Sequence, residues 1–300
     1  MPESVAVTGG NGRLGQHVLE HLASVGYRTI NLSRGKRDEA HSDAYVRTDL
    51  LDAGEVYGAL ATSDPDAVVH LGMIPTPDHT PGYRTYESNV MSSYHVLEAA
   101  GELGVDTVAL ASSFSAIGGG FEPDPITVDY LPIDEDHRLT PSNPYAMGKQ
   151  AMEAAADGFA RRSEDAPGTI TSLRFPWVVD DDLARETFVE ADRTLAGSKA
   201  SADFHTQRNT LYAYLHATDA VTVVEAAVEA SFTGHERLWL SAPDTSAETP
   251  SAELAAELYP DADYRGSTGD DENPYAALID TSKAERLLDW EPTWSWRQLA

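Results

Sequence analysis

The stretch VAVTGGNGRLG, residues 5–15, constrains the fold more than any other part of the chain. β-Formers run straight into four glycines within seven residues, and a new apolar rhythm starts immediately after them. Leu14, Val18, Leu22 and Val25 recur at helical spacing. A strand, a tight turn and an amphipathic helix are therefore expected in that order. Gly10, Gly12 and Gly15 satisfy G-x-G-x-x-G, and Gly9, Gly12 and Gly15 also stand three apart. Glycine permits the sharp turn and a close backbone approach, while the helix start offers free N–H groups and the positive dipole end to a pyrophosphate. The last glycine lets helix and strand pack closely. The turn, with Gly9, Gly12, Arg13, Leu14 and Gly15, is the expected seat of a dinucleotide.

The rest of the first half repeats the strand–helix alternation. Strands are expected at residues 5–8, 27–32, 67–71 and 107–112, and helices at 14–25, 52–61, 84–103 and 145–161. That period predicts an α/β fold, a Rossmann-type doubly wound parallel sheet covered on both faces, with ligands beyond the carboxyl ends of its strands. After about residue 170 the pattern loosens. Strand-like TITSLRF and RLWLS and helix-like TDAVTVVEAAVEA and DTSKAERLLDW are separated by Pro-, Gly- and Asp-rich connectors. The expected division is a dinucleotide-binding domain over 1–172, rejoined by 210–240, and a smaller substrate lobe drawn mainly from 173–300.

The second expected strand ends INLSRGKR, with Ser33 and Arg34 at its tip and Lys36 and Arg37 close behind. The carboxylate that would hold an adenine ribose is missing there. Three cations within four positions would instead suit a 2′-phosphate, with Arg34 the planar ionic partner and Arg37 beside it. NADP is therefore expected in preference to NAD, with NAD still possible. Asp49 and Leu50, in TDLLD, are placed to flank the adenine.

Tyr145 and Lys149, in YAMGK, lie one helical turn apart on the same face. Upstream, LASSFSAIG puts Ser112 and Ser113 at the ligand-binding end of a buried-looking strand. Moving a hydride off an alcohol carbon requires a base for the hydroxyl proton. Tyrosine serves if a nearby ammonium favours its phenolate and a hydroxyl steadies the substrate oxygen.

With these residues in place the chain resembles an extended short-chain dehydrogenase/reductase of the NAD-dependent epimerase/dehydratase group. The matching segments are TGGNGRLG, VVHLG, ESNVMSSYHVLEAA, ASSFSAIG, PYAMGK, LRFP, YLHATDA and DTSKAERLLDWEP, in the family's order. The resemblance implies that Ser113 bonds the reacting oxygen and that Tyr145 is the base. Lys149 would lower the tyrosine pKa and bond the nicotinamide ribose. Leu71, Gly72 and Pro176 fall in segments that line the cofactor, and Asn89 stands where the family carries a structural or proton-relay asparagine. Within the family, HLGMIP, ASSFSAIG and DTSKAERLLDWEPTWSWR look most like the aldose and uronate 1-dehydrogenase branch. The expected reaction is oxidation of a free sugar at its anomeric carbon to the aldonolactone. Arg174 is the expected substrate clamp, with an ion pair as its alternative role. Met73 and Trp177 suit a neutral sugar face, so a pentose such as L-arabinose is expected ahead of a uronate. A sugar-nucleotide epimerase or dehydratase, for which the chain is short, and a non-catalytic dinucleotide sensor are the alternatives.

Composition removes other classes. With no cysteine there is no thiolate chemistry and no disulfide, and the ten histidines show no metal-ligand spacing, so no metal is expected. Asp and Glu number 49 against 21 Lys and Arg, a net −28 that repels nucleic acid and anionic membrane. The acids are dispersed and only four of the cations are lysine, as on a halophile's solvated surface. The absence of a long apolar run, and the early first strand, lead us to expect a soluble, cytoplasmic protein. The family resemblance further implies a homo-oligomer, a dimer or higher, paired through the helices near 84–103 and 145–161.

Overall fold

The computed structural model describes residues 2–35, 42–78, 80–122, 124–162, 164–265, 269 and 273–299. Lys36 and Arg37 lie outside them.

The chain opens with β1 (Ser4–Thr8), the glycine turn and α1 (Arg13–Ser24). It continues through β2 (Arg28–Ser33), β3 (Ala44–Arg47), α2 (Ala53–Ser63), β4 (Ala67–His70), α3 (Gly82–Glu102) and β5 (Thr107–Ser113). β6 (Tyr130–Leu131), α4 (Pro144–Ala160), β7 (Thr169–Phe175), β8 (Trp177–Val179) and the short α5 (Asp181–Ala184) follow. A π-turn (Arg185–Val189) leads to α6 (Leu195–Ala200), α7 (Phe204–Asn209), β9 (Tyr214–His216), α8 (Ala217–Val228) and β10 (Gly234–Trp239). The last elements are α9 (Ser251–Leu258), β11 (Asp263–Tyr264) and α10 (Ser282–Leu288).

Seven of the strands form one parallel sheet in the order β10-β7-β5-β4-β1-β2-β3. Strand order reverses between β1 and β4, which opens a crevice at their carboxyl ends. The pleat sorts β1 between two cores. Val5 and Val7 face α1, α8 and α10, whereas Ala6 faces α2, α3 and α4. Such a sheet, buried on both faces, reads as continuous apolar runs, and β4 is fully buried along its length.

Local chemistry sets the helix boundaries. Asp52 caps α2 by accepting from the Glu55 amide at 3.1 Å, and the helix ends at Asp64 in the left-handed conformation. Asn143 caps α4 through Ala146 N at 2.9 Å, with Pro144 at its first position. In α1 the buried set is Gly15, Val18, Leu19 and Leu22. Val25, expected on the apolar stripe, is instead the exposed C-terminal residue, because the chain turns there toward β2.

The strand β7 runs through residues 172 and 173, where the division into two domains was expected, and β10 returns the chain to the sheet. Beyond the sheet, two short parallel pairs form: β6 with β11 adjoins a third apolar cluster around Phe114, Leu131, Tyr212, Trp239 and Leu254, and β8 with β9 packs in a fourth around Val179, Phe188, Tyr214 and Trp296. Strands of two or three residues carry too little pattern to be read from sequence. Among the described residues no helix is long and apolar enough to cross a membrane, and no cluster of His, Asp and Glu could hold a metal ion.

Candidate functional site

A cleft of about 1040 Å³ lies at the carboxyl edge of the sheet and is continuous from the glycine turn to α7. At its cofactor end the main chain does the work. Gly9 has φ +70°, and a Cβ on it would sit 2.6 Å from the Gly72 Cα. A Cβ on Gly15 would lie 2.4 Å from the Gly9 carbonyl oxygen. No side chain caps the first turn of α1 and no acidic residue stands in it, so its amides remain for an anion. These features fit a dinucleotide pyrophosphate.

Side chains from β2 and β4 steady the turn. Asn31 Nδ2 donates to Asn11 Oδ1 at 2.8 Å, and Ser33 Oγ donates to Asn31 Oδ1 at 2.7 Å while accepting from Asn11 N at 3.2 Å. The Thr8 hydroxyl accepts from Leu71 N and Gly72 N, each at 3.1 Å, so its own proton goes to His70 Nδ1 at 2.8 Å. His70 Nε2 is then the protonated nitrogen and donates to Ser93 Oγ at 3.1 Å, which itself donates to Asn89 O. Burial, with the Lys149 charge second, pulls the His70 pKa down to about 3 and keeps the ring neutral. Asn31 and His70 were not singled out in the sequence; being polar inside apolar strands was their one signal.

Gly9, Gly12, Arg13, Leu14, Gly15, Ser33, Arg34, Asp49, Leu50, Leu71, Gly72, Met73 and Pro176 all line the cleft. Leu50 packs so closely that a Cβ on Gly72 would meet its Cδ1 at 2.3 Å. Arg34 is exposed at the tip of β2, whereas Arg37 lies outside the described residues. Arg13 reaches across to Asp180, which also caps α5. Asp180 is held below the usual carboxylate range by the Leu183 amide first and by Arg13 second.

Ser113, Tyr145 and Lys149 meet on one wall of the same cleft. Ser113 ends β5, accepts from Ser115 N at 3.1 Å and stands close enough to Tyr145 to draw its phenol downward. Lys149 Nζ lies 5.4 Å from the centre of the Tyr145 ring and 3.2 Å from Met73 Sδ, and it donates to the Ala111 carbonyl. Burial pulls the Lys149 pKa down to about 7, opposed by the Glu153 charge. Burial likewise pushes the Tyr145 phenol above its ordinary value, opposed by the Ser113 hydroxyl. Desolvation thus outweighs the lowering of the phenol expected from Lys149, because both groups sit where charge is disfavoured.

The two neighbouring serines are separated by the strand's alternation. Ser112 Oγ donates to Glu153 Oε1 at 2.6 Å, leaving Ser113 to Tyr145. That same carboxylate takes Arg174. Its Nε and Nη2 bond the two Glu153 oxygens at 2.9 and 2.8 Å, and the guanidinium stacks 4.5 Å from the Trp239 ring. Arg174 is 1% exposed and is not part of the cleft wall, so the expected substrate clamp is an internal ion pair. β7 turns the arginine onto α4, where a buried carboxylate already waits.

Asn89 also sits behind the wall, within α3 rather than at a helix cap. Its Oδ1 accepts from Ile74 N at 3.1 Å and so holds the loop that carries Gly72 and Met73. Its Nδ2 is buried with no hydrogen-bond partner.

The far end of the cleft is made by residues that sequence reading missed: Thr187, Arg193, Thr206, Gln207, Thr210, Tyr212 and Ser246, beside Phe121, Trp177 and Asp203. They come from separate segments with no shared motif.

A parallel sheet with a glycine turn at its reversal point and a Ser–Tyr–Lys set on the wall of the same cleft is a dinucleotide-binding architecture. The chain belongs to the NAD dependent epimerase/dehydratase family, which it matches over residues 5–239. It is similar to the UDP-glucose 4-epimerase of Rhizobium leguminosarum bv. trifolii, 29% identical over 158 residues, which are 51% of this chain and 46% of that protein. It is also similar to the NAD-dependent glucose-6-phosphate dehydrogenase of Haloferax volcanii, 32% identical over 168 residues, 51% of this chain and 61% of that one. The chain spans about half the length of the curated relatives it matches. In fold it is similar to the uronate dehydrogenase from Agrobacterium tumefaciens, at TM-score 0.67 and 19% identity, covering 99% of this chain and 86% of that chain.

Proposed function

We propose that this chain is an NAD(P)-dependent sugar dehydrogenase that oxidises the anomeric hydroxyl of a free aldose to the aldonolactone. The observation that carries the reading is the meeting of Ser113, Tyr145 and Lys149 on the wall that continues into the glycine turn. Bound at that turn, the dinucleotide supplies the hydride acceptor for the anomeric carbon. Ser113 holds the anomeric oxygen, and the Tyr145 oxygen takes its proton as the C–O bond becomes a carbonyl. Lys149, 5.4 Å from the ring centre, is the cation placed to favour a phenolate when it carries its proton. Trp177 and Phe121 with Thr187, Thr206 and Gln207 offer the mixed apolar and polar lining that a sugar needs.

NADP is the proposed preferred cofactor, with Arg34 the contact to the 2′-phosphate. The exposed Tyr83, Tyr86 and Met91 of α3 and Met147 of α4 form the proposed contact with a second copy. The dispersed acids are proposed to keep the protein folded and soluble in concentrated salt inside the cell.

The test is incubation of the protein with NADP or NAD and a panel of free sugars that includes L-arabinose. Accumulation of reduced nicotinamide supports the reading. The UDP-glucose 4-epimerase relatives favour a second reading, a sugar-nucleotide epimerase. It requires interconversion of nucleotide sugars with no net reduction, and that result would replace the first reading.

A further inference from the structure

The sugar end of the cleft holds a charge that the reaction above does not use. Arg193 lines that end at 3% exposure. Its Nε donates to the Ser246 carbonyl and its Nη2 to Ser246 Oγ, each at 2.7 Å. The rings of Phe188 and Tyr212 lie 5.4 and 5.9 Å from its guanidinium carbon. Its main-chain oxygen accepts from Glu248 N at 2.9 Å, so the residue is held at both ends. Every acceptor it meets is neutral, and no carboxylate lies within ion-pair distance of it among the described residues.

That is out of keeping with the rest of the molecule. Arg174, equally buried, takes both oxygens of Glu153, and the more open Arg237 and Arg297 hold Asp157 and Asp244. With 49 acidic residues against 21 basic ones, carboxylates are the commonest partners this chain has to offer. A guanidinium does not shed its proton, and a buried charge with no carboxylate in ion-pair contact is costly; Asp203 and Glu248 act on it only from beyond that distance. The cost is justified where an anion arrives from outside. Nη1 makes no hydrogen bond among the described residues, and Arg193 stands on the cleft wall. Thr187, Thr210 and Gln207 stand along the same wall to meet hydroxyl groups.

We propose that Arg193 anchors an anionic substituent of the sugar, a carboxylate or a phosphate, so that the substrate is an acidic aldose and not the neutral pentose read from the sequence. The inference rests on the dehydrogenase reading for its chemistry, but the binding site stands on Arg193 alone. A planar guanidinium meets either anion with paired N–H donors, and such charge-assisted bonds change affinity by about 10- to 100-fold.

The experiment compares D-glucuronate, D-glucose 6-phosphate and D-glucose at matched ionic strength, by steady-state reduction of the cofactor and by calorimetric binding to the cofactor-loaded protein. Wild type is expected to favour one of the two acids over glucose by about 10- to 100-fold, and which acid wins identifies the anion. Arg193→Gln is expected to bring that ratio close to one by raising KM for the acid, and Arg193→Lys to restore part of it. Equal use of glucose and both acids by wild type overturns the proposal. So does an Arg193→Gln protein that folds, by its thermal midpoint, and loses all three sugars in proportion. Arg193-dependent binding of an acid without any cofactor reduction would retain the anion site and remove the dehydrogenase reading. Reduction with neutral sugars alone would do the reverse.

Discussion

At one end of the cleft, residues 9–15 present main-chain amides from a single turn, and side chains are excluded by contacts as short as 2.4 Å. At the other end, Arg193 and Ser246 meet across 53 residues of sequence, joined by hydroxyls from α7 and the segment before β9. The cofactor end is a backbone device, tolerant of what surrounds it so long as no Cβ intrudes. The far end is a side-chain device, lined by groups brought together from separate segments. Ser113, Tyr145 and Lys149 line the same cleft.

The largest expected effect tests these three residues. Tyr145→Phe removes the proton acceptor while keeping the ring against Phe121, and turnover should fall by about 10²- to 10⁴-fold. A variant with undiminished turnover removes the base from the mechanism.

Next comes the support behind that wall. Glu153→Ala leaves Arg174 buried without its partner, and denaturant unfolding should show a loss of about 3–5 kcal/mol. A loss below about 1 kcal/mol would mean that the pair is no part of what holds β5, β7 and α4 together.

The cofactor end is tested by Gly9→Ala. It forces a left-handed residue and a Cβ into Gly72, at about 1–3 kcal/mol, and should weaken dinucleotide binding more than sugar binding. Equal losses at both ends would erase the distinction drawn between them. A smaller change is expected from Arg34→Ser, where the ratio of NADP to NAD affinity should drop by about tenfold. An unchanged ratio moves the 2′-phosphate contact elsewhere.

The mildest test reads pH. The folded-state pKa of His70 lies near 3, below its ordinary value, because burial disfavours the charged ring. Between that value and the ordinary one, the unfolded chain binds a proton that the folded chain does not. Its contribution to stability is complete above about pH 6.5 and is lost as pH falls toward 3. The slope of unfolding free energy against pH over that window should be shallower in His70→Gln than in wild type. Parallel slopes would show that the ring is protonated in the folded state.

Much of this was legible before folding. The strand–turn–helix opening, the α3 and α4 helices and the serine, tyrosine and lysine positions follow from spacing within a few residues, and local spacing survives folding unchanged. Arg174 was legible as a residue but not as a role, because the choice between cleft and interior depends on where Glu153 stands on α4. Arg13 was read as a cofactor contact, yet its partner Asp180 lies 167 residues away and no local pattern links them. Asn89 was legible by family position as a structural or proton-relay residue, but its hold on the Gly72 loop through Ile74 N appears only in the packing. Arg193 carried no signal at all, standing in a connector with neither periodicity nor motif.

By itself, the sequence determined the doubly wound sheet, the glycine turn and the positions of the serine, tyrosine and lysine. Each is dictated by backbone sterics or by the period of a single element, and such constraints act between neighbours. Only the tertiary structure decided which arginine is neutralised and which is left at the cleft. Charge is balanced through space, and the distance from a cation to its carboxylate exists only once β7, α4 and the connector before α6 have packed.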